Sequence, residues 1–147
     1  MNTNVQYTTG RDSVLTDSAA LVGRILVALI FIISGYGKIA GYAGTAGYMA
    51  GKGLPLVDVL LPLTILIELG GGLLIAIGWK VRWTAAVMFL FLIPVTLVFH
   101  NPAGLAAAEA QQQMIELLKN LSIMGGLLGL FAFGPGRFGV DARNKRA

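Results

Sequence analysis

The chain has 147 residues, 56% of them hydrophobic and 12% charged, with a mean hydropathy of +0.76 and a net charge of +4. Soluble domains carry about 25% charged residues, so this is the composition of a membrane protein, of a length that suits one domain. The absence of cysteine excludes thiolate chemistry and iron–sulfur clusters, and a single histidine, His100, excludes haem held by two histidines of one chain and leaves no expected metal site.

Residues 1–17 are polar and of mixed charge, a tail with little to fold around. The first apolar run, residues 19–39, ends in Gly35-Tyr36-Gly37-Lys38 without the cleavage pattern of a signal peptide, so it reads as a retained membrane helix. Arg24 lies in its first turns, from which it can snorkel back to the near interface. Residues 41–54 are too polar and glycine-rich to span. Tyr42, Ala46 and Met49 recur there at helical spacing, which suits a short interfacial helix, with an ordered loop as the alternative.

The second span, residues 56–77, is the one around which the others are read. Roughly 22 residues at about 1.5 Å each cross a bilayer core of about 30 Å. Glu68 falls near the middle, where a charge costs about 2.5–3.5 kcal/mol on insertion scales, so it is expected to face the protein interior with a partner or a role. Gly70, Gly71 and Gly72 follow and allow close helix packing. Pro55 opens the helix, and Pro62, which frees the carbonyl of Asp58, predicts a bend.

Trp79-Lys80-Val81-Arg82-Trp83 is a basic turn whose tryptophans mark a membrane–water interface. The third span covers residues 84–100, with Pro94 a kink. Asn101 before Pro102 is a helix-start signal. The fourth helix is therefore expected to begin near Ala103, enter the bilayer near Met114 and end at Phe133, before Gly134-Pro135-Gly136. Residues 137–147 form a basic, loosely ordered tail that can touch anionic headgroups.

The predicted fold is an all-α membrane protein. It is a four-transmembrane-helix bundle over residues 18–136, spans at about 19–39, 56–77, 84–100 and 114–133, with a short interfacial helix in the first outer loop. Arg11, Arg24, Lys80, Arg82, Arg137, Arg143, Lys145 and Arg146 then share one side, against Lys38, Lys52 and Lys119 on the other. Eight basic residues against three place both termini and the Trp79–Trp83 turn in the cytoplasm. The positive charge thus serves topology and lipid contact; no nucleic-acid partner is implied.

The intramembrane polar groups gather at the outer level. Ser34 and Lys38 lie one turn apart, Thr96 and His100 share that spacing, and Glu116, Lys119, Asn120 and Ser122 come from the fourth helix. Glu68 lies deeper, and the stem of Lys119 could reach down to it. An outward-facing polar pocket floored by Glu68 is the simplest arrangement that satisfies them. Glu68, Lys119 and His100 are its candidate chemical groups, and Ser34, Lys38, Thr96 and Asn120 its candidate ligand-binding groups. The alternatives are structural. Glu68 and Lys119 could form an ion pair that fixes helix register, His100 a wetted interfacial residue, Lys38 a snorkelling anchor, and Gly70–Gly72 and the Gly125/Gly129 pair packing surfaces.

The blocks GRILVALIFIISGYGKIAGYAGTAGYM, ELGGGLLIAIGWKVR, the His100 region, and KNLSIMGGLLGL followed by GPGRFGVD resemble the DoxX family of small four-helix bacterial membrane proteins. The likeness runs from about Gly23 to Asp141 and is strongest to short enterobacterial inner-membrane members. The family's recurring polar residues map onto Arg24, Lys38, Glu68, Arg82, His100, Lys119 and Asn120. The resemblance implies association with quinone-linked oxidoreductases and with complexes in oxidative-stress defence. With no cysteine, unlike the related four-helix thiol oxidases, any redox role needs a bound quinone or a partner's cofactor.

The functional expectation is a quinone- or quinol-interacting accessory subunit of a redox assembly, in contact with the bilayer, a quinone or a partner redox subunit, or a second copy. Lys38, His100 or Lys119 would donate to quinone oxygens and Glu68 would pass protons. One rival is a structural or assembly protein whose polar core only fixes helix packing. Another is a small-solute or proton permease, against which the lack of an internal repeat and of polar inner halves argues.

Overall fold

A computed structural model describes residues 10–143, with side chains described for residues 14–142. The elements are helices α1 (Gly10–Ala40), α2 (Tyr42–Gly51) and α3 (Val57–Ile65), a π turn π1 (Leu66–Gly70), and helices α4 (Gly71–Ile77), α5 (Val81–Phe99), α6 (Ala107–Phe133) and α7 (Val140–Arg143). Among the described residues, four segments are long and apolar enough to cross a membrane: Val14–Ala40, Val57–Ile77, Val81–Phe99 and Ala107–Phe133. The fold is the four-span all-α bundle, with α2 between the first two spans. No strand occurs among the described residues.

The spans pack in two pairs, α1 on π1 and α4, and α5 on α6. Their shared core is small: Ala28, Phe31, Ile75, Ala85, Met88, Leu92 and Leu127. Leu26, Ile33, Leu66, Leu90 and Leu97 point outward, as expected where hydrocarbon is the solvent. Glycine sets the tightest contacts. A Cβ on Gly35 would come within 2.8 Å of the Leu69 amide nitrogen, and one on Gly72 within 2.8 Å of Ile32 and 3.2 Å of the Ala28 carbonyl. Backbones of α1 and the second span therefore touch directly. The packing role expected of Gly71 and Gly72 holds, since Gly71 abuts Met88. It does not hold for Gly125 and Gly129, where a Cβ would meet nothing within 4 Å and which face open space.

Both chain ends differ from the tails expected of them. Residues 10–17 continue α1, because no glycine or proline interrupts the run from Arg11 to Val22, and Asp17 meets Arg137 at 3.7 Å. Residues 1–9, and Lys145 and Arg146 of the basic tail, lie outside the described residues. The segment after α6 is docked rather than loose. The backbone N–H groups of Lys80 and Val81 donate to the two carboxylate oxygens of Asp141 at 2.8 and 3.0 Å, and the Asp141 N–H donates to the Gly78 carbonyl at 3.0 Å. Asp141 thus caps α5 from 60 residues away, supplying acceptors that the helix start lacks in its own sequence.

At the opposite end, α6 starts at Ala107 rather than near Ala103. Gly104 adopts φ +78°, which breaks any helix begun at Pro102, and the Asn101 side chain accepts the Ala103 N–H at 3.0 Å in a local turn instead of capping α6. The cap at the other end yields a test. Asp141→Ala is expected to cost about 0.5–2 kcal/mol, read as a lower thermal midpoint in detergent. An unchanged midpoint would show that the docked segment contributes nothing.

Candidate functional site

The second span loses its α-helical regularity at the residue that carries its charge. Glu68 is the central residue of π1, three residues after Ile65, and its side chain is only 7% exposed. Single π turns inside helices are often found at functional sites, because the extra residue re-aims the side chains that follow. Here the turn lies against α1, at the level of Lys38.

Lys38 and Glu68 form the centre of the site. The Lys38 ammonium donates to Glu68 Oε2 at 2.7 Å, to Oε1 at 3.0 Å and to Ser34 Oγ at 2.7 Å. An ammonium has three donors, and all three are used. The i,i+4 spacing of Ser34 and Lys38 is what permits the last of these bonds. The partner expected for Glu68 was Lys119, and the structure corrects this. Lys119 pairs with Glu116 on its own helix, and Asn120 donates to the Thr96 hydroxyl at 3.0 Å with both side chains buried. The reason is packing order: α1 lies directly on π1, whereas α6 packs mainly on α5. Ser122 also leaves the group, since its hydroxyl returns to the Leu118 carbonyl of its own helix. His100 pairs with Gln113 across the α5–α6 connection, 3.1 Å from Nδ1 to Oε1.

Two chambers flank the ion pair and share Lys38, Glu68, Val95 and His100 as walls. The larger, about 560 Å³, lies under α2 and is lined also by Thr45, Tyr48, Thr64 and Phe99. The smaller, about 250 Å³, lies between α1, α5 and α6 and is lined by Ser34, Glu116, Lys119 and Asn120. The structure therefore brings Ser34, Lys38, Glu68, His100, Lys119 and Asn120 around one pair of cavities, with Thr96 attached through Asn120. It adds Thr45, Tyr48, Thr64 and Phe99, which sequence reasoning passed over. Tyr48 and Phe99 stack at 5.6 Å between ring centres, joining α2 to the end of α5. The helical period already noted in α2 was the available signal: it buries Met49, and Thr45 and Tyr48 lie beside Met49 in the chamber wall.

A second polar centre lies at the end of the bundle where α1 begins. Arg24 was expected to snorkel to the interface. It is instead 2% exposed, with Nη1 donating to the Pro135 carbonyl at 2.5 Å and Nε without a partner among the described residues. The docked loop after α6 covers it, which is why the side chain need not seek water. No group of three or more histidine, cysteine or carboxylate side chains suited to a metal occurs among the described residues.

Comparison with known proteins places this architecture. The DoxX family model matches residues 19–101, more than half of the chain. The chain is 42% identical over 127 residues to the inner membrane protein YqjF of Escherichia coli (strain K12), covering 86% of this chain and 92% of the relative. It is 32% identical over 123 residues to the inner membrane protein YphA of the same organism, covering 84% and 88%. A more distant likeness, 26% over 127 residues, is to the Surfeit locus protein 4 homolog of Schizosaccharomyces pombe, and it covers 85% of this chain but 37% of that protein. No solved structure matches the chain. Taken with the four membrane-spanning helices, these matches establish that the chain belongs to the DoxX family and is an integral inner-membrane protein.

Proposed function

We propose that the larger chamber binds a quinone or quinol headgroup and that the protein serves as an accessory subunit of a membrane redox assembly. The observation that carries this reading is the composition of the chamber wall. About 560 Å³ of space combines aromatic and aliphatic surface with a cluster of convergent polar groups, Lys38, Glu68 and His100. Small-molecule sites are typically about 300–1,000 Å³, mostly apolar, with a few polar groups that fix orientation. A quinone ring suits Tyr48 and Phe99, and its oxygens suit the His100 imidazole and, only in exchange for its bond to Ser34, the Lys38 ammonium. A bound quinone would supply the electron chemistry that the side chains lack. Glu68 would hold or pass a proton beside it.

The glycines of α2 give a clean test. Gly44 lines the chamber, and a Cβ there would meet nothing within 4 Å, so Gly44→Phe adds a ring at the chamber wall without a clash. A short-chain quinone titrated into the purified protein should bind saturably. Gly44→Phe should weaken that binding by about tenfold or more, a loss of about 1.4 kcal/mol. Absence of saturable binding, or full binding by Gly44→Phe, would remove the proposal.

Orientation belongs to the same reading. With both termini and the Trp79–Trp83 turn cytoplasmic, as the distribution of basic residues favours, the chambers open toward the outer side. A reporter fused after Ala147 is expected to be active only if it works in the cytoplasm; activity of a periplasm-dependent reporter would reverse the assignment.

One observation favours a structural role for the ion pair: every Lys38 donor is satisfied within the protein. Breaking such a pair leaves one charge stranded, and replacing both partners removes that penalty. Glu68→Leu alone should destabilise the protein by about 3 kcal/mol or more, and the double change Lys38→Met with Glu68→Leu should restore most of it. If the double variant is stable and still binds quinone as tightly as the unaltered protein, the pair serves packing and not the ligand.

A further inference from the structure

We infer that the smaller chamber is a water-filled vestibule that gives Glu68 proton exchange with the aqueous phase, separate from the chamber that takes the organic ligand. Its use as a proton route for a quinol rests on the reading above, whereas its hydration stands on geometry alone.

The two chambers meet at the ion pair and differ in chemistry. The walls unique to the larger one are Thr45, Tyr48, Thr64 and Phe99, with glycines and Met49. Those unique to the smaller one are Ser34, Glu116, Lys119 and Asn120 beside four apolar side chains. Five titratable side chains face the smaller chamber: Lys38 from α1, Glu68 from π1, His100 at the end of α5, and Glu116 and Lys119 from α6. Glu116 and Lys119, 26% and 45% exposed, stand at its open side, and Glu68, 7% exposed, lies deeper.

The chamber extends inward as far as Ile30, eight residues before Lys38 and so about 12 Å along α1. Its volume of about 250 Å³ holds several waters at about 30 Å³ each, and the wall offers more than the two to four polar partners that a buried water needs. Lipid tails fit such a wall poorly, since its carboxylates keep acceptor capacity beyond their bonds to Lys38 and Lys119 that hydrocarbon cannot serve. The carboxylate of Glu68 therefore stands between an organic ligand on one side and water on the other. A proton taken up by Glu68 passes to vestibule water, which returns the carboxylate to its Lys38 partner and carries the proton to bulk.

The protein has no native cysteine, so single substitutions carry the only thiol. Ser34→Cys and Ile123→Cys report on the vestibule, Thr64→Cys on the ligand chamber, and Leu97→Cys on the lipid-facing surface. Each variant is placed in nanodiscs, which expose both faces, and treated with the membrane-impermeant reagent 2-(trimethylammonium)ethyl methanethiosulfonate. Water raises the thiolate fraction, so Ser34→Cys and Ile123→Cys should react about tenfold or more faster than Leu97→Cys. If both react no faster than Leu97→Cys in protein of unchanged thermal midpoint, the vestibule is overturned. Added short-chain quinone should slow Thr64→Cys and leave Ser34→Cys unchanged. Slowing of both means one continuous ligand pocket and overturns the separate route. Slowing of neither removes the quinone reading, while fast labelling of Ser34→Cys and Ile123→Cys still supports the hydrated vestibule.

Discussion

A carboxylate at the centre of an apolar span has no solvent to hold its charge, so the helices around Glu68 must supply a counter-ion within hydrogen-bond reach. Lys38 does so from α1, at 2.7 and 3.0 Å, and Ser34 takes its third donor. The geometry around them follows from this requirement. The absence of a Cβ on Gly35 lets α1 lie against Leu69, and the π turn centred on Glu68 is aimed at the same face. Any larger residue at Gly35 would push α1 away from the turn that its own lysine must reach. Close glycine packing and the buried charge pair are therefore one device.

The two ends of the bundle are built for different purposes. At the end where α1 begins, the chain closes on itself. Asp141 caps α5, Gly78 accepts the Asp141 amide, and Arg24 is sealed under the Pro135 carbonyl. At the opposite end, α2 and the α5–α6 connection roof two chambers instead of filling them. Polar side chains at the closed end are spent on joining segments. Those at the open end line space, and this asymmetry is what makes the open end the candidate for ligand chemistry.

The chambers also explain why the polar residues of α6 need not touch Glu68. Lys119 and Glu116 neutralise each other on one helix face, and Asn120 is tied to Thr96, so α6 contributes a wall whose charges are already balanced. Water or a ligand can then approach the Lys38–Glu68 pair without meeting a stranded charge. The stacked rings of Tyr48 and Phe99 hold α2 over the larger chamber, and the His100–Gln113 bond closes the angle between α5 and α6.

What the sequence determined by itself follows from one-dimensional physics. Run length and hydropathy specify how many times the chain crosses a bilayer, because a span needs about 20 apolar residues and loops need polar ones. A single Glu68 in such a run had to be sheltered, and the i,i+4 spacing of Ser34 and Lys38 set the two side chains on one helix face, within reach of each other. Partners on different helices were decided only by the tertiary structure. Lys38 rather than Lys119 reaches Glu68 because glycine contacts bring α1 onto the π turn, and no spacing along the chain encodes which helices touch. Arg24 is buried and the segment after α6 is docked for the same reason: that loop folds back onto the start of α5, where Asp141 accepts the free amides of Lys80 and Val81. The start of α6 at Ala107 likewise turned on the left-handed backbone of Gly104, which overrode the Asn101-Pro102 signal.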